Sequence, residues 1–422
     1  MTQAASSPMR LAFYLPDLAG GGAERLTLIL CQALSALGHS VELIVDRLEG
    51  DNVARVPAEL DVTELLGKGH HKRLLKQAAG RPAALAGLSA FARGTGKPYF
   101  TVSRTLPLAA RLKTRQPQVL ICALGYAPFI AYRARQIAGL TMPIVHVEHN
   151  TPSRAFLADN LALRRLVRLN QTKQLARDVY PRIEAIVGVS DGVADDTAEF
   201  AQLERRRVHT IYNPIPVDEI RQASRQTVDH AWVGDSSRPL LITAGRLVAQ
   251  KNFPLLLEAL ARLSGPNSPR LIVLGEGPLR DHLTRRIREL GLADRVDLYG
   301  WCAQPYGFFA RADIFVQSSD REGLSTVLIE ALACGCPIVA TDCQSGPREI
   351  LDQGRYGHIV PMHDAGALAD AISQQISAGK DPQRQVERAR HFSVERSTQA
   401  YADLCRSLIA QAHHRESASG AA

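Results

Sequence analysis

The sequence predicts an α/β protein built from two doubly wound, Rossmann-like domains, each a parallel sheet covered by helices. Three observations carry this. Short apolar runs alternate with helix-length segments of mixed polarity, the rhythm of βαβ units with both sheet faces covered. The rhythm stops at about 213–239 and then restarts. The length, 422 residues, suits two or three domains at about 100–200 residues each. Composition agrees, with 45% hydrophobic and 22% charged residues, close to soluble globular averages. Disorder, collagen and a disulfide scaffold are thereby disfavoured. The 7 cysteines form no C-x-x-C pair, so reduced thiols are expected rather than a zinc ribbon or a dithiol redox site.

In the first half, Leu11–Leu15 reads as a strand. A glycine cluster, Gly20–Gly22, follows, then a helical pattern from Ala23 to Leu37 closed by Gly38, then a strand at Val41–Val45. Further strands are expected at Val119–Cys122, Ile144–Val147, Ala185–Val189 and Val208–Ile211. Residues 66–105 are less regular and read as a surface insertion. The break contains Asn213-Pro214, Pro216, a polar run through Gly234–Ser237, and Pro239, a composition that suits an interdomain connection. The second half predicts strands at Leu240–Ala244, Leu271–Leu274, Val296–Tyr299, Asp313–Gln317, Pro337–Ala340 and His358–Val360. Helices are expected at Phe253–Leu263 and Pro278–Leu290, and a terminal helix at about Ser393–His413. The domains are thus expected at 1–220 and 221–392, with a C-terminal helix over 393–415 packing back on the first. Ligands of such sheets bind at the carboxyl ends of the strands, so a cleft between the two domains is expected.

Charge is unevenly placed. Residues 1–220 hold 27 basic and 20 acidic side chains, and the remainder 23 and 22. Between Leu65 and Val147 there is no carboxylate, but there are Lys68, Lys72, Arg73, Lys76, Arg81, Arg93, Lys97, Arg104, Arg111, Lys113 and Arg115. Such a stretch suits phosphate-rich partners or an anionic membrane surface; a solvated basic face is the plain alternative. Nucleic acid is disfavoured, because aromatics are 5% and no nucleic-acid motif occurs. No signal peptide or membrane-spanning run is seen, so a cytoplasmic protein is expected.

Glycine-rich turns that open helices suit phosphate, because free backbone N–H groups meet the positive end of the helix dipole. Gly20-Gly21-Gly22-Ala23-Glu24-Arg25 has that context but fails the dinucleotide pattern, as does Gly275-Glu276-Gly277-Pro278-Leu279-Arg280. No Walker-type loop occurs. The most informative stretch runs Ser318-Ser319-Asp320-Arg321-Glu322-Gly323-Leu324-Ser325-Thr326-Val327-Leu328-Ile329-Glu330-Ala331-Leu332. Glu322 lies at the mouth of a helix, and Glu330 is expected two to three turns inside it. At ~1.5 Å per residue the carboxylates would stand about 12 Å apart along the axis, beyond the ~9.5 Å limit of a paired acid and base. That reach suits one extended ligand, a sugar at one end and a ribose at the other. Gly323, Leu324, Ser325 and Thr326 would offer first-turn N–H groups to phosphates between them.

Here the chain resembles the GT-B fold retaining glycosyltransferases of family GT4. The likeness rests on Glu322 and Glu330 with Ala331–Thr341 following. It also rests on Gly245-Arg246-Leu247 with Lys251-Asn252, on Gly275–Leu279, on Val189-Ser190, and on Ile211–Pro214. It covers nearly the whole chain, weakest at about 48–115. The resemblance implies a transferase that moves a sugar from a nucleotide sugar, a UDP-hexose or UDP-HexNAc, to a lipid-linked glycan acceptor, in bacterial-type cell-surface polysaccharide or oligosaccharide assembly. Arg246 and Lys251 would hold the donor diphosphate, Glu322 the sugar hydroxyls and Glu330 the ribose. Gly21 and Gly22 would let the backbone approach phosphate or acceptor. His149 matches the histidine that contacts the donor sugar, with His146 as a competitor. Ser345-Gly346-Pro347-Arg348-Glu349-Ile350 resembles members acting on lipid-linked glycans. No Asp-x-Asp pair occurs, so no metal and no cofactor is expected. Peripheral membrane binding is expected through Lys68–Lys113 with Arg164, Arg165 and Arg168. A GT-B epimerase or hydrolase and a non-catalytic nucleotide-sugar-binding protein are the alternatives.

Overall fold

The computed structural model describes residues 7–19, 21–67, 98–154, 163–265 and 267–419. The chain divides into two compact units, Met1–Pro214 with Glu395–Ala422, and Ile215–Val394.

The first unit is built on seven parallel strands. They are β1 (Arg10–Leu15), β2 (Ser40–Val45), β3 (Asp61–Glu64), β4 (Val119–Ala123), β5 (Ile144–Glu148), β6 (Ala185–Gly188) and β7 (Val208–Thr210), in the order β3-β2-β1-β4-β5-β6-β7. β4 is buried throughout, because helices cover both faces and apolar residues are needed at every position. The order reverses between β1 and β4, the place where doubly wound sheets open a crevice for ligands. Helix Gly22–Ala36 follows β1 and seats Leu26, Leu28, Leu30, Cys31 and Leu34. β3 had no apolar signal. It is an edge strand of half-exposed residues, held only by β2. Helix Pro98–Arg115 takes up the end of the stretch read as irregular. Pro107 lies inside it and obscures its period, yet Leu106, Leu108, Ala109 and Leu112 are buried. Residues 68–97 of that stretch, including Lys68, Lys72, Arg73, Lys76, Arg81, Arg93 and Lys97, lie outside the described residues, as do the side chains of Arg164, Arg165 and Arg168.

The second unit has six parallel strands, β8 (Leu240–Ala244), β9 (Arg270–Leu274), β10 (Val296–Gly300), β11 (Ile314–Gln317), β12 (Ile338–Thr341) and β13 (His358–Val360), in the order β10-β9-β8-β11-β12-β13. Here the order reverses between β8 and β11.

The junction falls at Pro214–Ile215, earlier than the expected 220/221. Ile215 is fully buried, and its N–H donates to the Phe392 carbonyl at 2.9 Å. The polar run that suggested a connection belongs to the second unit. There the His230 ring pairs with Asp297 at 3.0 Å, and the Arg270 guanidinium lies 5.5 Å over the Trp232 ring. The terminal helix runs Val394–Ser419, past the expected end. It completes the first unit by burying Tyr401, Ala402, Cys405 and Leu408, and the Ser397 hydroxyl donates to the Tyr212 carbonyl at 2.8 Å.

Candidate active site

In the second unit, chain leaving β8 and chain leaving β11 meet at the strand-order reversal. Gly245 ends β8's pairing, its N–H donating to the Leu274 carbonyl at 2.9 Å. Gly275, at the exit of β9, has φ +144°, and a Cβ there would stand 2.0 Å from the Gly245 carbonyl oxygen. Only glycine permits that approach. It fixes the turn that carries Arg246, whose side chain is exposed. A single 3₁₀ turn, Ala249–Lys251, and Asn252 at φ +43° lead into helix Phe253–Arg262.

The loop leaving β11 is laced to that turn. The Ser318 hydroxyl donates to the Lys251 carbonyl (2.9 Å), the Asp320 N–H to the Gln250 carbonyl (2.9 Å), and the Gln250 amide to the Arg321 carbonyl (2.8 Å). The Asn252 amide donates to Asp320 Oδ1 (2.8 Å). The Lys251 ammonium and the Glu322 carboxylate close the set at 2.6 Å, their side chains 20% and 9% exposed. The geometry therefore brings Lys251 and Glu322 together, with Arg246 on the same turn.

Gly323, Leu324 and Ser325 are buried. The Ser325 hydroxyl donates to Gln317 Oε1 at 2.6 Å instead of capping the helix. That helix is Thr326–Ala333, so Glu330 is its fifth residue, little more than one turn in. The expected two to three turns placed the start too early, because Gly323 and Leu324 belong to the loop. Glu330 is 6% exposed. Around the same turn the enclosed polar atoms Gln317 Nε2, Ser319 Oγ and Ser345 Oγ have no hydrogen-bond partner among the described residues. Burial pushes the Cys343 thiol up to about 12, with the Glu322 charge adding to the shift; it is no nucleophile.

In the first unit, Gly21 caps helix Gly22–Ala36 and both Gly21 and Gly22 are exposed. A Cβ at Gly21 would meet Glu24 Oε2 at 2.2 Å. The helix N-terminus offered to phosphate thus already has its own carboxylate folded over it. His146 and His149 separate clearly. His146 lies within β5, 1% exposed; its Nδ1 lies 3.3 Å from the Cys122 carbonyl and its Nε2 3.1 Å from the Tyr180 hydroxyl. His149, one residue past β5, lines a small cavity with Phe13, Leu15, Ile121, Asn213 and Tyr401. Its Nε2 is enclosed and has no partner among the described residues. Burial lowers its pKa to about 4, against an opposing pull from Glu148. The ring is therefore neutral at pH 7, free to hydrogen-bond but not to act as a standing cation.

The sequence reading missed a polar knot at the carboxyl ends of β1, β2 and β4. Asp46, 1% exposed, accepts from Tyr14 (2.9 Å), Tyr126 (2.8 Å) and Arg104 Nε (2.9 Å). Burial raises its pKa against those three bonds. The available signal was a carboxylate placed directly after the apolar run Val41–Val45. Among the described residues no group of three or more His, Cys, Asp or Glu side chains is placed to hold a metal ion.

These two units match two family models. The glycosyl transferases group 1 model matches residues 225–392, and the glycosyltransferase family 4 model matches residues 20–219. Both units thus resemble glycosyltransferase domains. Among curated relatives, this chain is 31% identical over 252 residues to the N-acetylgalactosamine-N,N'-diacetylbacillosaminyl-diphospho-undecaprenol 4-alpha-N-acetylgalactosaminyltransferase of Campylobacter jejuni, covering 60% of this chain and 65% of that one. It is 32% identical over 230 residues to the lipopolysaccharide core biosynthesis glycosyltransferase LpsE of Rhizobium meliloti, covering 53% and 65%. The match thus spans slightly under two thirds of either relative's length. Among solved structures, a glycosyltransferase from Rickettsia africae superposes with a TM-score of 0.73 at 17% identity, covering 96% of this chain and 99% of that one. Anabaena Alr3699/HepE in complex with UDP and glucose superposes at 0.68 and 18% identity, covering 94% and 100%. At those identities the structural likeness shows the GT-B fold.

Proposed function

We propose that this glycosyltransferase moves a hexose or N-acetylhexosamine from a UDP-sugar to a lipid-linked glycan acceptor, with retention of anomeric configuration, in bacterial-type cell-surface polysaccharide assembly. The observation that carries the reading is the lacing of the Arg246–Asn252 turn to the Ser318–Glu322 loop at the strand-order reversal of the second unit. It holds two cations and a carboxylate where a doubly wound sheet takes its ligand. The relatives' substrates support the donor and acceptor classes.

In this reading Arg246 and Lys251 balance the charge that builds on the departing diphosphate, electrostatic stabilisation aimed at the leaving group. Glu322 meets sugar hydroxyls and orients Lys251. Glu330 meets the ribose. The neutral His149 hydrogen-bonds a donor hydroxyl. The acceptor hydroxyl attacks from the face that the diphosphate leaves, and the leaving phosphate oxygen takes its proton, so no side chain forms a covalent intermediate. The first unit is the acceptor side, and its basic stretch meets an anionic membrane face, a peripheral location on the cytosolic side. No described helix is long and apolar enough to cross a membrane.

The test is turnover of a UDP-sugar panel with and without a lipid-linked acceptor. Arg246→Ala and Lys251→Ala should each cost ~10²–10³ in kcat, as loss of one transition-state donor does. Near-wild-type turnover in both would remove their role, and an inverted product anomer by NMR would remove retention. UDP release independent of acceptor would favour a hydrolase. Flotation with anionic and neutral liposomes tests the membrane face; equal binding to both, or none, rejects it.

A further inference from the structure

The first unit carries a larger cavity at the other end of its sheet. Its volume is about 550 Å³, within the ~300–1,000 Å³ range of small-molecule sites. The walls come from the last turn of helix Ala127–Ala138, the chain entering β5, the chain entering β6, and the final turns of helix Val394–Ser419. Pro143 directly precedes β5 and Glu184 directly precedes β6, so the cavity sits at the amino ends of these strands. His149 lies past the carboxyl end of β5, about 20 Å from Pro143 at ~3.3 Å per residue. A small ligand here is remote from His149.

The lining mixes charged and apolar side chains. Arg135 is 8% exposed. Its guanidinium pairs with Glu184 at 2.6 Å, donates to the carbonyls of Met142 (3.0 Å) and Arg182 (3.1 Å), and lies 5.6 Å over the Tyr132 ring. That pair cancels its own charge. The remaining charged lining residues are Arg182 and Arg415, both exposed. Leu140, Pro143 and Leu408 line the same cavity. Arg182 also donates to the Asp178 carbonyl; an exposed guanidinium suits a carboxylate, sulfonate or phosphate group, which it can bind bidentately. The apolar lining gains by covering a hydrocarbon or aromatic body.

We propose that this cavity is an accessory site for a small amphiphilic anion, its charged group on Arg182 and Arg415 and its apolar body against Leu140, Pro143 and Leu408. This stands independently of the transfer reaction.

The probe is 8-anilinonaphthalene-1-sulfonate, a sulfonate on an aromatic body, titrated by fluorescence against the intact protein at low salt. One saturable site is expected, unaffected by excess UDP and weakened by added salt. The Arg182→Ala/Arg415→Ala variant should weaken binding by ~10-fold or more, the loss of two charge-assisted contacts. Ala412→Trp, which fills the cavity from the terminal helix, should abolish it; unchanged melting temperatures confirm that both variants fold. Absence of saturable binding to the wild type, displacement by UDP, or wild-type affinity in the folded arginine variant would each overturn the proposal.

Discussion

At the scale of single residues, the Lys251–Glu322 pair decides most. Each side chain is largely enclosed and compensates the other. Removing one leaves a poorly solvated charge, which costs more than the pair itself contributes. Lys251→Met should therefore destabilise by ~1–3 kcal/mol, and Lys251→Met/Glu322→Gln should recover most of that without recovering turnover. Urea unfolding beside a UDP-sugar assay checks it; additive losses in the double variant would show the two side chains uncoupled. His149 gives a pH dependence. Its folded pKa of about 4 lies below the ordinary ~6.5 of an unfolded chain, so between these values the folded protein binds fewer protons. Stability is unaffected above pH 6.5 and falls as pH drops towards 4, by as much as ~3 kcal/mol. Burial of His39 and His209 lowers their pKa values too and acts in the same direction. His149→Gln should flatten the fall in Tm between pH 7 and 4.5, and an unchanged slope would contradict it. Glu322 and Glu330 stood out as candidates in the sequence by their spacing across a helix start, and Arg246 and Lys251 by resemblance to a known family. The Asp46 knot was not, because Tyr14, Asp46, Arg104 and Tyr126 meet only through the fold.

At the scale of elements, the turns rather than the strands set the site. Gly275 stands so close to the Gly245 carbonyl that any side chain must part the exits of β8 and β9. Gly275→Ala should cost well over ~2 kcal/mol, strain plus clash, and should abolish UDP binding by moving Arg246. Gly291→Ala is the control. It also has positive φ, +66°, but opens onto free space, so only ~1 kcal/mol is expected with UDP binding kept. Thermal melts and calorimetric titration with UDP compare the two, and equal losses would show that the close approach is unimportant. The same contrast explains what could be read beforehand. β4, β8 and β12 are covered on both faces and announce themselves as apolar runs. β3 is an edge strand with no such run. In helix Pro98–Arg115 an internal proline interrupts the pattern, and tertiary packing supplies what local preference lacks. The start of helix Thr326–Ala333 was misplaced because Ser325 spends its hydroxyl on Gln317 rather than on a cap.

At the scale of the whole molecule, the chain crosses from the first unit to the second at Pro214–Ile215 and returns at Val394–Glu395. A polar run such as 224–239 reads as a linker until its side chains are seen packed on one unit. The return matters energetically. Tyr401 and Leu408, 3% and 6% exposed, are core residues of the first unit supplied by the last helix. At ~1.5–3 kcal/mol for each large buried side chain, deleting residues 395–422 should remove several kcal/mol from that unit. The core of the Ile215–Val394 unit loses nothing. At roughly 2–4 °C per kcal/mol for a unit of this size, the first unit should melt about 10 °C or more below its value in the full chain. Both tryptophans, Trp232 and Trp301, lie in the second unit and report on it alone. Far-UV circular dichroism of the truncated protein should therefore gain an early transition, while the tryptophan fluorescence midpoint stays where it is. If the fluorescence transition drops by the same amount, the two units do not melt independently and the last helix is not a private part of the first.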